Sequence, residues 1–197
     1  MGSNPIRTHS VMQVAARRTT RPLSGITPKQ GDIQTGRNHL FGKKNKREKT
    51  METLTYSVKI NRSVDVVFNK VTDKSVYPDW AKAWGEGMTY EGNWKEGDYI
   101  SFYDQKQGGT KVIVEEIVPN EIIRMKHVAM VNPQNVECEV TDEMMEKWIG
   151  STENYYFKKN GDRETILEIV MTTDKAFEEM MGAWSKALKF LKEICEK

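Results

Sequence analysis

A strict alternation of apolar and polar residues opens the patterned part of the chain. Every second residue from Leu54 to Ile60 is apolar, and this spacing predicts a β-strand with one buried face. After Ser63, a candidate N-cap, apolar residues recur at helical spacing. A second short helical segment contains Pro78 and Trp80. The first part of the pattern is therefore one strand followed by two short helices.

The rest of the chain reads as a run of strands and a final helix. The strongest hairpin signal is Asn160–Gly161, because both residues tolerate a positive φ angle and the flanking segments are aromatic and β-branched. From about Thr173, apolar residues recur every three or four positions opposite a charged face, which predicts a long amphipathic helix. The six predicted strands are 86–91, 97–104, 110–118, 121–131, 148–159 and 163–172.

This order of elements predicts an α+β fold. A curved antiparallel sheet of about seven strands needs a cover for its apolar face, and the long C-terminal helix has the length to provide one. A curved sheet cannot close against a straight helix along its whole length. The pattern therefore predicts a hollow between the sheet and the helix.

Residues 1–50 differ in composition from the rest. They carry 11 Lys and Arg against 2 Asp and Glu, a net charge of +9, whereas residues 51–197 carry 19 against 26, a net charge of −7. Few large apolar side chains and several Pro and Gly residues predict a disordered basic leader. A tag or a misplaced start upstream of Met51 is the favoured interpretation, with a transit-like segment or a nucleic-acid-binding arm as alternatives. The globular domain is expected at 51–197.

The 197 residues lack several kinds of site. No apolar run is long enough for a membrane span. Two cysteines cannot build a disulfide framework or a four-thiolate zinc site, and the three histidines have no ligand-like spacing. No Gly-rich phosphate loop, nucleophile elbow or CxxC pair is present. Neither a metal nor a cofactor is therefore expected, and without a secretory hydrophobic region the protein is expected to be cytoplasmic.

Several segments resemble the START-like, or SRPBCC, superfamily, and within it the branch similar to activators of a heat-shock chaperone's ATPase. The resemblance spans most of 51–197 and none of 1–50, and no single motif in it is diagnostic. It implies the helix-grip fold, in which a curved sheet wraps a long C-terminal helix after two short helices. It also implies a choice of functions: lipid or hormone carrier, polyketide aromatase or cyclase, or chaperone regulator. The segments are Ile60–Phe68, Tyr77–Trp80, Trp94–Asp98, Gly108–Thr110, Trp148–Tyr155 and Trp184–Leu188.

Three side chains are weak candidates for chemistry: His127, Glu153 and Tyr156. His127 shares a predicted strand face with apolar residues from Ile123 to Ala129, so it is expected to face the helix. It could act as a general base, but a half-buried histidine bonded to a polar neighbour is favoured, because no orienting partner is visible nearby. An inward Glu153 would form a dyad with His127. Alternation alone does not choose its face, and an outward Glu153, with Asn154 or Tyr156 inward, is favoured.

Segment 132–148 is the longest irregular segment, and we expect it to cover the mouth of the hollow. Its acidic residues lack the Gly and the spacing of a calcium loop, so a solvated surface is favoured. Met144, Met145 and Trp148 are expected on its apolar underside.

The favoured function is binding of a hydrophobic small molecule, lipid-like or aromatic, between the sheet and the helix. A chaperone ATPase-activator-like module and a cyclase- or aromatase-like enzyme are the alternatives, and binding without catalysis is favoured. The expected partners are an apolar small molecule and, in the first alternative, a chaperone. The folded domain is expected to bind no nucleic acid and to be a monomer or homodimer. The predicted wall residues are Phe68, Trp80, Phe102, Met125, His127, Tyr156, Leu167, Ile169, Met181, Trp184 and Leu188.

Overall fold

The structure, a computed structural model, describes residues 49–197. The leader predicted at 1–50 therefore lies almost wholly outside the described residues. None of the helices in 49–197 is long and apolar enough to cross a membrane. The elements in chain order are β1 (Met51–Ile60), α1 (Val64–Thr72), α2 (Tyr77–Ala81), β2 (Met88–Gly92), β3 (Tyr99–Asp104), β4 (Gly108–Val118), β5 (Ile122–Val131), α3 (Glu143–Trp148), β6 (Thr152–Lys159), β7 (Thr165–Asp174), α4 (Glu178–Met181) and α5 (Ala183–Cys195).

The seven strands form one antiparallel sheet in the order β1-β7-β6-β5-β4-β3-β2. Strands that follow one another from β2 to β7 are neighbours, and β1 pairs with β7 over its full length, from Met51 opposite Asp174 to Ile60 opposite Thr165. The β6–β7 hairpin turns where the sequence predicts it, with Gly161 at φ 79°. The predicted α+β fold, with two short helices after the first strand, is confirmed.

One predicted strand begins later than expected. The segment from residue 148 was expected to be extended, but Trp148 ends helix α3, and β6 starts at Thr152. The carboxylate of Asp142 accepts a hydrogen bond from the backbone N–H of Met145 at 2.9 Å and so caps α3. Met145 and Trp148 are both buried beneath this helix.

The C-terminal helical segment begins with a 3₁₀ turn at Lys175–Phe177 and runs through α4 and α5. Gly182 joins α4 to α5 with helical angles, φ −55° and ψ −21°, so the direction of the chain is kept. Asp174 caps the segment by accepting from the backbone N–H of Ala176 at 3.0 Å. The buried stripe of α5 packs on β1, α1 and α2. This is the helix that the sheet grips.

A β-bulge in β5 sets the direction of the side chains at the site. Between β4 and β5 the register shifts, so that Val112 pairs with His127 while Lys111 pairs with Ala129. The unpaired Val128 changes the phase of the strand, so both His127 and Met130 are buried. The prediction that Ala129 shares the inward face with His127 is wrong for this reason, since alternation holds only without a bulge.

Candidate functional site

The hollow predicted between the sheet and the C-terminal helix is present as a cavity of about 60 Å³. Strands β2, β3, β4 and β5 and helix α3 contribute one side chain each, and β6 contributes two. Helix α2 and the turn after it supply aromatic rings from one side, and α4 and α5 supply the roof. The lining residues are Tyr77, Trp80, Trp84, Met88, Phe102, Thr110, His127, Trp148, Glu153, Tyr155, Met180, Met181 and Trp184.

A buried polar chain forms the floor of the cavity. The hydroxyl oxygen of Thr110 lies 2.9 Å from Nδ1 of His127 and accepts from the indole N–H of Trp148 at 3.0 Å. Only 6% of Thr110, 2% of His127 and 5% of Trp148 is exposed. Because the indole can only donate, Thr110 is fixed as an acceptor towards Trp148. Its own proton is left for Nδ1 of His127 or for the carbonyl of Ala129 at 3.3 Å.

Glu153 continues this chain on β6. Its Oε2 lies 3.6 Å from Nε2 of His127, and its Oε1 accepts from the hydroxyl of Tyr155 at 2.5 Å. The side chain of Glu153 is 13% exposed. The distance between Nε2 and Oε2 is longer than a hydrogen bond, and Nε2 is buried without a partner in the described residues. The imidazole and the carboxylate therefore face each other without a hydrogen bond between Nε2 and Oε2.

The Glu153 carboxylate affects the pKa values of two buried tyrosines, Tyr155 and Tyr77. Burial raises the pKa of Tyr155 well above its usual value, and the neighbouring Glu153 carboxylate raises it further. Burial likewise raises the pKa of Tyr77, with Glu153 adding to the effect. Both phenols therefore stay protonated, and each can act only as a neutral hydrogen-bonding group at ordinary pH.

Three tryptophan rings form the opposite wall. Trp84 and Trp184 meet edge to face with centroids 4.8 Å apart, and Trp80 lies 6.2 Å from Trp184 with the ring planes at 27°. The ring of Tyr155 touches Trp184 from the sheet side at 5.7 Å. The wall is thus aromatic on several sides, and the polar atoms are gathered on the sheet at the far side.

The structure separates the predicted wall residues into two groups. The first lines the cavity: Trp80, Phe102, His127, Met181 and Trp184. The second is buried in the core and does not line it: Phe68, Met125, Leu167, Ile169 and Leu188. These positions share the inward phase of their strands and helices, but alternation cannot say which inward side chains meet another side chain and which meet empty space.

Strand β6 has the opposite phase from the one predicted. Glu153, Tyr155 and Phe157 face inward, whereas Tyr156 lies on the other face, beneath the ammonium group of Lys158. The expectations of an outward Glu153 and an inward Tyr156 are therefore wrong. The sequence does contain a signal for the observed phase. Phe157 is apolar and Lys158 is charged, so Phe157 is expected to face inward, and alternation then places Tyr155 and Glu153 on the same inward face.

Other lining residues were missed for different reasons. Thr110 and Trp84 stand next to strand and helix boundaries, where no periodic pattern identifies their direction. Trp148 was expected beneath segment 132–148, and it both lies there and reaches the floor of the cavity. Tyr77 is held by aromatic contacts with Trp80 that no sequence pattern shows.

Residues 49–197 offer neither a cluster of metal-binding side chains nor an activated thiol. That part of the chain contains no group of three or more His, Cys, Asp or Glu side chains placed to hold a metal ion. Burial raises the pKa of Cys195 to about 11, and burial also raises the pKa of Cys138. Neither thiol is therefore activated as a nucleophile. The chemistry available to the cavity comes from His127, Glu153 and the tyrosines.

Comparisons with known proteins agree with this fold. No protein-family model and no curated protein matches the chain. Among solved structures, CV1439 from Chromobacterium violaceum has a TM-score of 0.55 at 15% identity, covering 74% of this chain and 97% of that one. The Aha1 dimer from Colwellia psychrerythraea has a TM-score of 0.55 at 16% identity, covering 74% and 96%. CalU16 from Micromonospora echinospora has a TM-score of 0.52 at 18% identity, covering 75% and 82%. The chain therefore has the helix-grip fold of these proteins, and its ligand has to be argued from the site.

Proposed function

We propose that the protein binds a small, largely aromatic molecule in the cavity between the sheet and the C-terminal helix. The observation that carries this proposal is the division of the wall: tryptophan and tyrosine rings surround the space, and a compact polar cluster lies on one side of it. Ligand sites are commonly built in this way, with apolar walls for affinity and a few polar groups for orientation.

The size of the cavity favours the aromatic half of the expected ligand class over the lipid-like half. A dry cavity that accepts benzene has a volume of about 150 Å³, and the cavity here is about 60 Å³. Wall side chains must therefore move outward to admit even one ring. Met180 and Met181 are the wall side chains best suited to such a movement, because methionine side chains adapt readily.

The expected affinity follows from the area that a single ring buries. A ring buries roughly 150–250 Å², which at about 25 cal/mol per Å² stabilises the complex by about 4–6 kcal/mol before ordering costs. These energies correspond to dissociation constants between about 1 mM and about 40 μM, so we expect single-ring ligands to bind no more tightly than about 40 μM.

The test uses the tryptophans of the wall as reporters. Four tryptophans line the cavity, so we expect ligand titration into the full-length protein to change tryptophan emission saturably and to raise the thermal midpoint. Met181→Phe narrows the cavity and should weaken binding, whereas Met51→Phe, at an exposed position on β1, is the matched control. If a panel of single-ring compounds at millimolar concentration produces neither response, the proposal is wrong.

A second candidate function, acid–base catalysis on a bound cyclic substrate, has a specific observation in its favour. His127 lies 3.6 Å from Glu153, and its other nitrogen is held by Thr110. This is the orienting partner that a general base requires. Incubating binding compounds with the protein and following their conversion by mass spectrometry tests it. Turnover that His127→Asn leaves unchanged would reject this mechanism.

The third candidate, a chaperone-regulating module, rests on the fold shared with the Aha1 dimer. Measuring a chaperone's ATPase rate with and without this protein tests it. No acceleration at concentrations where the protein binds its small molecule would count against it.

A further inference from the structure

Building on the proposed small-molecule binding, we propose that the cavity selects an organic cation: a protonated amine carried on an aromatic or short apolar group, with its ammonium held against Glu153. Three independent features of the cavity point to a positive ligand rather than a neutral or negative one. They are the unbalanced charge of the wall, the hydrogen-bond acceptors left open between His127 and Glu153, and the aromatic faces around them.

The first feature is charge. Glu153 is 13% exposed, and no lysine or arginine lines the cavity in the described part of the chain. Its neighbours are the neutral phenols of Tyr77 and Tyr155 and the imidazole of His127, so titratable groups from α2, β5 and β6 all face it. Apart from His127, which carries a charge only when it is protonated, none of these neighbours is a cation, and a bound cation would offset the cost of withdrawing the carboxylate from water.

The Glu153 carboxylate also acts on the two buried phenols of the cavity. After burial, the Glu153 carboxylate is the next cause that raises the pKa of both Tyr77 and Tyr155. The same potential that opposes a phenolate would attract an ammonium group and repel a carboxylate ligand.

The second feature is the pair of atoms facing the space. Oε1 of Glu153 already accepts from Tyr155, but Oε2 lies 3.6 Å from Nε2 of His127. Thr110 can accept from Nδ1–H of His127 and donate to the carbonyl of Ala129 at 3.3 Å. In that tautomer, Nε2 presents a lone pair beside Oε2, and two acceptors face each other without a donor. An ammonium group has several N–H donors and can satisfy both atoms.

The third feature is the aromatic wall. Trp80, Trp84 and Trp184 stand within ring contact of one another and line the same cavity as Glu153. The face of an aromatic ring is negative, and indole attracts cations best among the side chains. A ligand that is positive at one end and apolar elsewhere uses every part of this wall, whereas a neutral ring leaves the carboxylate without a partner.

The experiment compares three probes of one size: benzylamine, benzyl alcohol and benzoate, titrated into the full-length protein at neutral pH. Isothermal calorimetry and tryptophan fluorescence both report binding. We expect benzylamine to bind about ten-fold or more tightly than benzyl alcohol, and benzoate not to bind, because only the amine is positive. Glu153→Gln should remove most of this preference and leave benzyl alcohol within about two-fold of the unmodified protein. Glu115→Gln removes an exposed carboxylate from β4 and should change neither affinity.

The outcomes separate this inference from the proposed function. If benzyl alcohol binds as tightly as benzylamine, the cation inference is wrong and small-molecule binding stands. If benzylamine is preferred but Glu153→Gln does not alter the preference, selection does not occur at this carboxylate and the inference is also wrong. If none of the three probes binds, the cation inference is wrong, and the panel of single-ring compounds then decides the proposed function separately. Glu153→Asp keeps the charge and should keep the preference, and the probe comparison on the unmodified protein decides the question even if Glu153→Gln does not fold.

Discussion

Replacing Thr110 with valine tests the polar chain on the cavity floor. Valine has nearly the same shape as threonine, and Thr110 lies on β4, where a β-branched residue is favoured. The exchange removes one hydroxyl and little else. That hydroxyl accepts from Trp148 at 3.0 Å and lies 2.9 Å from Nδ1 of His127. Both partners are left buried without a hydrogen bond.

The magnitude follows from the number of groups left unpaired. Each buried polar group that loses its partner costs about 1–3 kcal/mol, and part of this is recovered by burying a methyl group. We therefore expect Thr110→Val to lower the free energy of unfolding by about 2–4 kcal/mol. With a urea slope of about 2 kcal/mol per M, the unfolding midpoint falls by about 1–2 M.

The assay is equilibrium urea unfolding of the full-length protein, followed by tryptophan fluorescence and by far-ultraviolet circular dichroism. Thr53→Val is the matched control, because its hydroxyl makes only an exposed contact with Thr172 at 3.4 Å. We expect that control to change stability by less than about 0.5 kcal/mol. A double-mutant cycle with Trp148→Phe should show a coupling energy of about 1 kcal/mol between Thr110 and Trp148. A Thr110→Val protein as stable as the Thr53→Val control would refute the argument.

Three further predictions concern the rest of the fold. Gly109→Ala places a Cβ against the backbone oxygen of Phe102 on β3, so we expect the free energy of unfolding to fall by about 3 kcal/mol or more. Gly85→Ala has open space and should unfold as the unmodified protein does, and urea unfolding compares the two variants. Asp174→Ala removes the cap of the C-terminal helical segment and should cost about 1–2 kcal/mol in the same measurement. Burial raises the pKa of Cys195 to about 11, so iodoacetamide at pH 8 should label the half-buried Cys138 first and Cys195 only after unfolding, and peptide mass spectrometry showing the reverse order would contradict the structure.

The sequence was sufficient for the architecture because the architecture depends on periodicity. The alternation from Leu54 to Ile60, the Asn160–Gly161 turn and the apolar stripe of the last helix each identify an element by a repeated signal. Because each element is identified by several residues, misassigning one of them does not change the element that is predicted. The order of elements then leaves few ways to cover the sheet, and the helix-grip arrangement is one of them.

The site was only partly predictable, because it depends on single positions. The alternation of apolar and polar residues in β5 does not predict that Val128 is unpaired. Because of this bulge, however, both His127 and Met130 are buried. The phase of β6 depends on one choice between Tyr155 and Tyr156, and the choice of Tyr156 reversed the direction of Glu153. Contacts between elements far apart in the sequence, such as Trp148 with Thr110, have no local signal.

Strand β6 pairs with β5 only between Ile122 and Lys126. Beyond that point the backbone of His127 bonds instead to Gly150 and Ser151, and the ring of Trp148, from α3, packs on the ring of His127 with centroids 4.5 Å apart. The sheet is therefore open at one corner, and a separate piece of chain closes it. Trp148, at the end of segment 132–148, lines the cavity, so this segment reaches the site without belonging to any strand of the sheet.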